Sequence, residues 1–219
     1  MKPLVVVSLL LGLLSSCVTS APVCPPVAAP DHVSTVAVVA FTVDTTALPD
    51  RGLKPLAHPS CMKQLLAGTE HILKGKWKVL AASAFGAAPE YLEPAPAASN
   101  DPRNTPAFQG NPMPHRPPLA PETARSLCRS LQVDAVVTAD IHWHLEPGPW
   151  KRTIRATART RLTFFDARGD AFYSWDHRAQ AKRPLGKTPD QAVLDAHAVE
   201  DWIQASLDSI RDMVDPVIF

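Results

Sequence analysis

The stretch Asp134-Ala135-Val136-Val137-Thr138-Ala139-Asp140-Ile141-His142-Trp143-His144-Leu145-Glu146 decides the fold. It reads as the central strand of a mixed sheet, and it carries the one cluster of ligand-capable side chains in the sequence. Successive side chains of a strand point to opposite faces. Asp140, His142, His144 and Glu146 therefore share one face, and Ile141, Trp143 and Leu145 the other.

Downstream, Pro147-Gly148-Pro149 interrupts the chain, and Thr153 to Phe165 alternates. Ile154, Ala156, Ala158, Thr160, Leu162 and Phe164 fall on one face, against Arg155, Thr157, Arg159, Arg161 and Thr163. Asp166-Ala167-Arg168-Gly169 is a turn signal, and Ala171 to about Lys182 returns as a third strand. Thr188 and Pro189 then mark a helix start, with Asp190 in the first turn. Its apolar stripe is Val199, Trp202, Ile203, Ser206, Leu207, Ile210, Met213 and Val214, and Pro216 ends it.

Upstream, Thr35 to Phe41 is a short apolar run rich in β-branched residues, the pattern of a strand buried on both faces. Residues 42–59 read as a loop. Ser60 can cap a helix that places Met62, Leu65, Leu66, Thr69, Ile72 and Leu73 on one face and stops near Gly75. Trp77 to Ala82 is a second short strand, so the segment is a βαβ unit with parallel strands and a right-handed crossover. Pro121 to Leu131 is a helix with proline in its first turn and Glu122 near its positive end; Leu127, Cys128 and Leu131 face inward. Between these units, residues 83–120 hold nine prolines. A loop of this length reads as an exposed excursion that could be the contact surface for a partner, or as a tolerated insertion with no role; residues 84–93 could form a short helix. The fold class is thus α/β (α+β): one domain over 34–219, two- or three-layered, with a mixed sheet and the order β-α-β-(long loop)-α-β-β-β-α.

The start of the chain has a different character. Lys2 precedes an apolar run of 11 residues, Leu4 to Leu14, too short to span a bilayer and the right length for a signal-peptide core. Leu14-Ser15-Ser16-Cys17 follows, a bacterial lipobox pattern; the alternative is an ordinary signal peptide cut near Ala21. Cleavage after residue 16 would expose Cys17 for acylation, and several acyl chains, palmitate among them, hold a protein at a membrane durably. No aspartate follows Cys17, so the outer membrane is the expected destination and the periplasm the expected side. Residues 17–33, with Pro22, Pro25, Pro26 and Pro30, read as a tether.

Loss of residues 1–16 removes Lys2 from the 22 basic residues and no acid from the 21 acidic ones, leaving no net charge. That balance gives no reason to expect nucleic acid as a partner. With Cys17 spent on lipid, Cys24, Cys61 and Cys128 remain in an oxidising compartment. Cys61 and Cys128 could form one disulfide. No C-x-x-C occurs, which excludes a zinc ribbon.

The chemistry-bearing candidates are Asp140, His142 and His144. Two histidines at i, i+2 beside carboxylates could hold zinc or copper. The competing reading pairs this strand antiparallel with Thr153–Phe165, apolar face to apolar face. One register sets Trp143 opposite Ala156, Leu145 opposite Ile154, Asp140 opposite Arg159 and His144 opposite Arg155. The polar face then becomes a charge-matched solvated or interaction surface, and arginines beside the histidines disfavour a cation. No G-x-S-x-G and no glycine-rich phosphate loop is present, Cys61 and Cys128 have no assignable histidine, and His177 and His197 stand alone. No catalytic residue and no cofactor is expected.

Three segments taken in order carry a resemblance: Val36-Ala37-Val38-Val39-Ala40-Phe41, Leu131-Gln132-Val133-Asp134-Ala135-Val136-Val137, and Leu162-Thr163-Phe164-Phe165-Asp166-Ala167-Arg168-Gly169. Together they resemble envelope proteins with the small α/β domain of the curli-secretion lipoprotein, the TolB amino-terminal domain and the LpoB-type activators of peptidoglycan synthases, over most of residues 34–214. The resemblance implies a non-enzymatic adaptor, assembly factor or pore builder. The chain departs from that group in its proline-rich loop, and it lacks the amphipathic hairpins of the curli pore. The expectation is a lipid-anchored adaptor or assembly accessory that binds another envelope protein or a cell-wall component. The alternative is a metal-binding envelope protein using His142 and His144.

Overall fold

The computed structural model describes residues 30–48, 59–86, 115 and 117–217. The leader, Cys17, Cys24, nearly all of the tether and most of the proline-rich loop lie outside the described residues.

Five strands form one mixed sheet: β1 (Thr35–Asp44), β2 (Lys78–Leu80), β3 (Ala135–Pro147), β4 (Ile154–Asp166) and β5 (Ala171–Gly186). Their order is β2-β1-β3-β4-β5. β1 runs parallel to both β2 and β3, and the β3-β4-β5 meander is antiparallel. The helices are α1 (Pro59–Leu73), α2 (Ala82–Phe85), α3 (Pro121–Leu131) and α4 (Ala196–Val214). The expected α/β (α+β) class and element order are present.

The larger core lies between the sheet and the pair α1/α4. Val36, Val38 and Phe41 of β1 meet Ala139, Ile141 and Trp143 of β3 there, under Leu65 and Leu73 of α1 and Trp202, Ile210 and Met213 of α4. The Trp143 and Trp202 rings stack at 5.6 Å and 11°. Buried indole N–H groups need acceptors: Trp143 donates to Ser206 Oγ at 3.0 Å and Trp202 to the His144 carbonyl at 3.0 Å. A smaller core on the opposite face joins Ala37, Val39, Ala40, Val136 and Phe165 to Phe85, Leu119, Ala124, Leu127 and Cys128. Alternation lets β1 serve both cores, and a register shift between Val38 and Ala40 moves its α1/α4-facing side chains from Val36 and Val38 to Phe41 and Val43.

The first turn of β1 is tied to the centre of the fold by Asp134. One of its carboxylate oxygens accepts from Ser34 N, Thr35 N and Ser34 Oγ at 3.0, 2.8 and 2.8 Å. At the hairpin after β4, Gly169 has φ +86°, and a Cβ there would collide with the Pro121 carbonyl at the start of α3. Arg125 Nε donates to the Arg168 carbonyl at 2.8 Å, joining helix to hairpin.

Four expectations need correction. First, the disulfide between Cys61 and Cys128 is not formed. Cys61 is buried in the α1/α4 core and Cys128 in the smaller one, with the sheet between them. Second, the last helix does not start at Thr188-Pro189, which makes only a short 3-10 turn. Residues 192–194 are not helical, and Val193 N bonds the Leu185 carbonyl. Asp195 is the cap, its side chain accepting from Ala198 N at 2.8 Å. Third, the β3–β4 pairing has the expected direction and faces but lies two residues along: Trp143 faces Ala158, Leu145 faces Ala156 and Asp140 faces Arg161. The turn after Pro147 fixes that offset, with Gly148 N donating to the Thr153 carbonyl at 2.7 Å. Fourth, the ends of the 83–120 excursion are packed. Phe85, His115 and Leu119 are buried, and His115 bridges to Ala40 on β1.

Candidate functional site

The smaller core covers only the beginning of β1 and β3 and the end of β4. Beyond it, the same face of the sheet is polar, with Asp140, His142 and His144 partly exposed, Arg159 and Arg161 exposed, and Thr157 buried. The strand register arranges its side chains in rows. Thr42, Asp140, Arg161 and Asp176 form one row across β1, β3, β4 and β5. Asp44, His142, Arg159 and Arg178 form the next, followed by His144, Thr157 and Gln180.

His142 is the most constrained of these groups. Its Nδ1 lies 3.2 Å from Asp44 Oδ2 and its Nε2 3.3 Å from Asp140 Oδ2. Thr42 Oγ1 donates to Asp140 Oδ1 at 2.6 Å. Two carboxylates on opposite ring nitrogens call for a proton on each, the form of an imidazolium. The hydrogen bond to Asp140 lifts the His142 pKa above the ordinary histidine value; burial opposes this, and the charges of Asp140 and Asp44 reinforce it. Burial pushes the Asp140 carboxyl up, but hydrogen bonds from His142 and Thr42 and the charges of His142 and Arg161 outweigh it, so its pKa falls below the usual value. Asp44 behaves alike: burial is outweighed by the Thr46 hydrogen bonds and by His142.

The neighbouring side chains lock one another. Arg161 holds Asp176 through Nε and Nη2 at 3.2 and 2.8 Å, and Arg159 Nη2 approaches the same carboxylate at 3.4 Å. Arg178 Nη1 donates to Glu146 Oε2 at 2.8 Å. Gln180 Nε2 reaches both Thr157 Oγ1 and the Pro147 carbonyl at 3.2 Å. Arg159 and Arg178 stand directly opposite each other. Like charges so placed repel, and each is offset by a carboxylate: Asp176 beside Arg159 and Glu146 on Arg178, as Asp44 and Asp140 flank His142.

The expected metal set is not assembled. Asp140 and His142 meet, but both ring nitrogens of His142 are taken by carboxylates, and the His144 ring is stacked 6.3 Å away. Among the described residues no three His, Cys, Asp or Glu side chains are grouped as a metal would require. Asp44 and Thr42 escaped the sequence reading, which ended β1 at Phe41. The available signal was the continued alternation Thr42-Val43-Asp44, with Val43 buried in the core. Glu146 does lie on the polar face as expected. His177 is buried on the opposite face, 3.3 Å from Asp212, and exposed His197 pairs locally with Glu200. This arrangement consists of fixed charges and hydrogen-bonding groups.

No protein-family profile and no curated protein sequence matches the chain. Solved structures similar to it include the hypothetical protein CT253 from Chlamydia trachomatis, at 16% identity and TM-score 0.39, covering 84% of this chain and 94% of that one. A PelC dodecamer from Paraburkholderia phytofirmans is similar at 10% identity and TM-score 0.40, covering 92% and 96%. Lipoprotein GNA1162 from Neisseria meningitidis is similar at 13% identity and TM-score 0.36, covering 81% and 97%. At these identities and scores the likeness brings neither a family nor a function to this chain. No helix among the described residues is long and apolar enough to cross a membrane.

Proposed function

We propose that the protein is a lipid-anchored component of the bacterial cell envelope. In this reading it works without catalysis, as an adaptor or assembly accessory that binds another envelope protein through the open polar half of its sheet. Cys17, behind the apolar run Leu4 to Leu14, is the acylation site and places the domain at the outer membrane, facing the periplasm.

The observation that carries the binding reading is the mutual locking of the side chains on the open face. Surface arginines ordinarily lose side-chain entropy when a partner fixes them. Here Arg161 and Arg178 are already held by Asp176 and Glu146, and His142 by two aspartates. A partner would meet a pre-ordered surface of paired charges, so that fewer side chains lose freedom on binding.

The test is quantitative crosslinking of the full chain in its native envelope, comparing wild type with an Arg159→Glu/His144→Glu double variant. Both changes lie mid-face, and Arg159 is exposed, with one long contact to Asp176. A partner band that falls at least several-fold in the variant, at equal protein level, supports the reading. A partner band of unchanged intensity overturns it.

A further inference from the structure

We propose that β5 is a self-pairing edge: two copies of this chain join antiparallel along β5, about a two-fold axis at His177, to make one continuous sheet. Among the described residues β5 has β4 on one side and no strand on the other. An open edge presents a row of backbone N–H and C=O groups to any incoming strand. The other edge, β2, is only Lys78–Leu80.

The edge is limited at both ends in a way that selects its middle. Register shifts fall between Arg155 and Thr157 and between Phe164 and Phe165 of the β4 partner strand. Between them, Tyr173 to Gln180 pairs with β4 without a break. Pro184 has no N–H to offer, and beyond it Val193 N already occupies the Leu185 carbonyl. The regular stretch is therefore centred near His177, whose carbonyl also accepts from Ser209 Oγ of α4 at 3.0 Å.

An antiparallel pair about His177 makes the side chains complementary. On the polar face Asp176 of each copy meets Arg178 of the other, and Ser174 meets Gln180. On the helix face Trp175 meets Ala179, and Tyr173 meets Ala181. Opposite charges and large–small pairs directly across an antiparallel ladder are the favourable combinations. A shift of two residues would instead bring Asp176 against its own copy, or Arg178 against its own copy. A like-charge approach of Asp212 to its copy opposes closure, and each Asp212 is held 3.3 Å from His177 Nε2. The paired sheet would set two open polar faces side by side, which goes beyond a monomeric adaptor surface and does not depend on it.

The test is disulfide trapping of the full chain in its membrane, in a Cys24→Ser background. Directly opposed residues of an antiparallel pair have Cα atoms about 4.5–5.5 Å apart, within disulfide range. A Ser174→Cys/Gln180→Cys double variant should run predominantly as a dimer on a non-reducing gel, and neither single variant should. Adding Arg178→Asp should lower the trapped fraction at least several-fold. Coexpression of that chain with one carrying Asp176→Arg should restore it as a heterodimer. Thermal melting of each variant confirms that it is folded. A folded double variant that stays monomeric, or a Ser174→Cys single variant that crosslinks to itself, overturns the proposal.

Discussion

His142 is held between Asp44 and Asp140, and this gives the open face a pH dependence whose sign follows from the pKa shifts. The folded-state pKa of His142 lies above its unfolded value near 6.5. Its stabilising contribution is therefore complete below the unfolded pKa and is lost as pH rises through the folded one. The two aspartates have lowered folded pKa values, so their contribution is present above the unfolded value near 3.8 and lost as pH falls through the folded value. Urea melts of wild type should show stability falling from slightly acidic to slightly alkaline pH, and His142→Gln should flatten that slope. The groups are partly exposed, so the effect should stay below about 1 kcal/mol. Cys128 is the opposite kind of residue. Burial, with help from the Asp166 charge, pushes its thiol up to about 11. The thiolate is the reactive form, so Cys128 should resist alkylation at neutral pH in the folded protein and react promptly in denaturant; mass spectrometry of iodoacetamide adducts checks this.

At the scale of elements, the Trp143–Trp202 stack joins β3 to α4. Trp143→Ala would empty a fully buried site and remove the stack on Trp202, at a cost of about 3–5 kcal/mol in denaturant unfolding. Gly169→Ala combines a left-handed backbone with a collision against Pro121 and should cost more than about 1 kcal/mol, loosening α3 from the hairpin. The strands, most of the helices and the polar face of β3 were legible from alternation and apolar spacing, because burial imposes those patterns directly. The exact β3–β4 register was not, since Ala156 and Ala158 are equally small partners for Trp143 and only the turn geometry separates them. The start of α4 was ambiguous for a related reason: Thr188-Pro189 and Asp195 both look like helix starts, and the Val193–Leu185 hydrogen bond decides between them. The Asp44–His142 contact joins residues 98 positions apart through a parallel register, which local sequence patterns do not encode. The separation of Cys61 from Cys128 depends on which face each helix covers, a property of the whole sheet.

For the whole molecule, we propose an acyl anchor at Cys17 ahead of a sheet with one helix-covered face and one half-open face. Cys17→Ser should abolish incorporation of labelled palmitate and release the chain from the membrane fraction; a variant that stays membrane-bound contradicts the anchoring step. Pairing through β5 would alter how many open faces each assembly displays and would bring the second copy's Asp176 against Arg178 at the border of each face. We propose that the mid-face side chains bind a partner. Crosslinking in the native envelope tests it most directly, with Arg159→Glu/His144→Glu compared against wild type at equal abundance. A partner band in wild type should be lost or reduced at least several-fold in the double variant; a band of equal intensity in both overturns partner binding by this face.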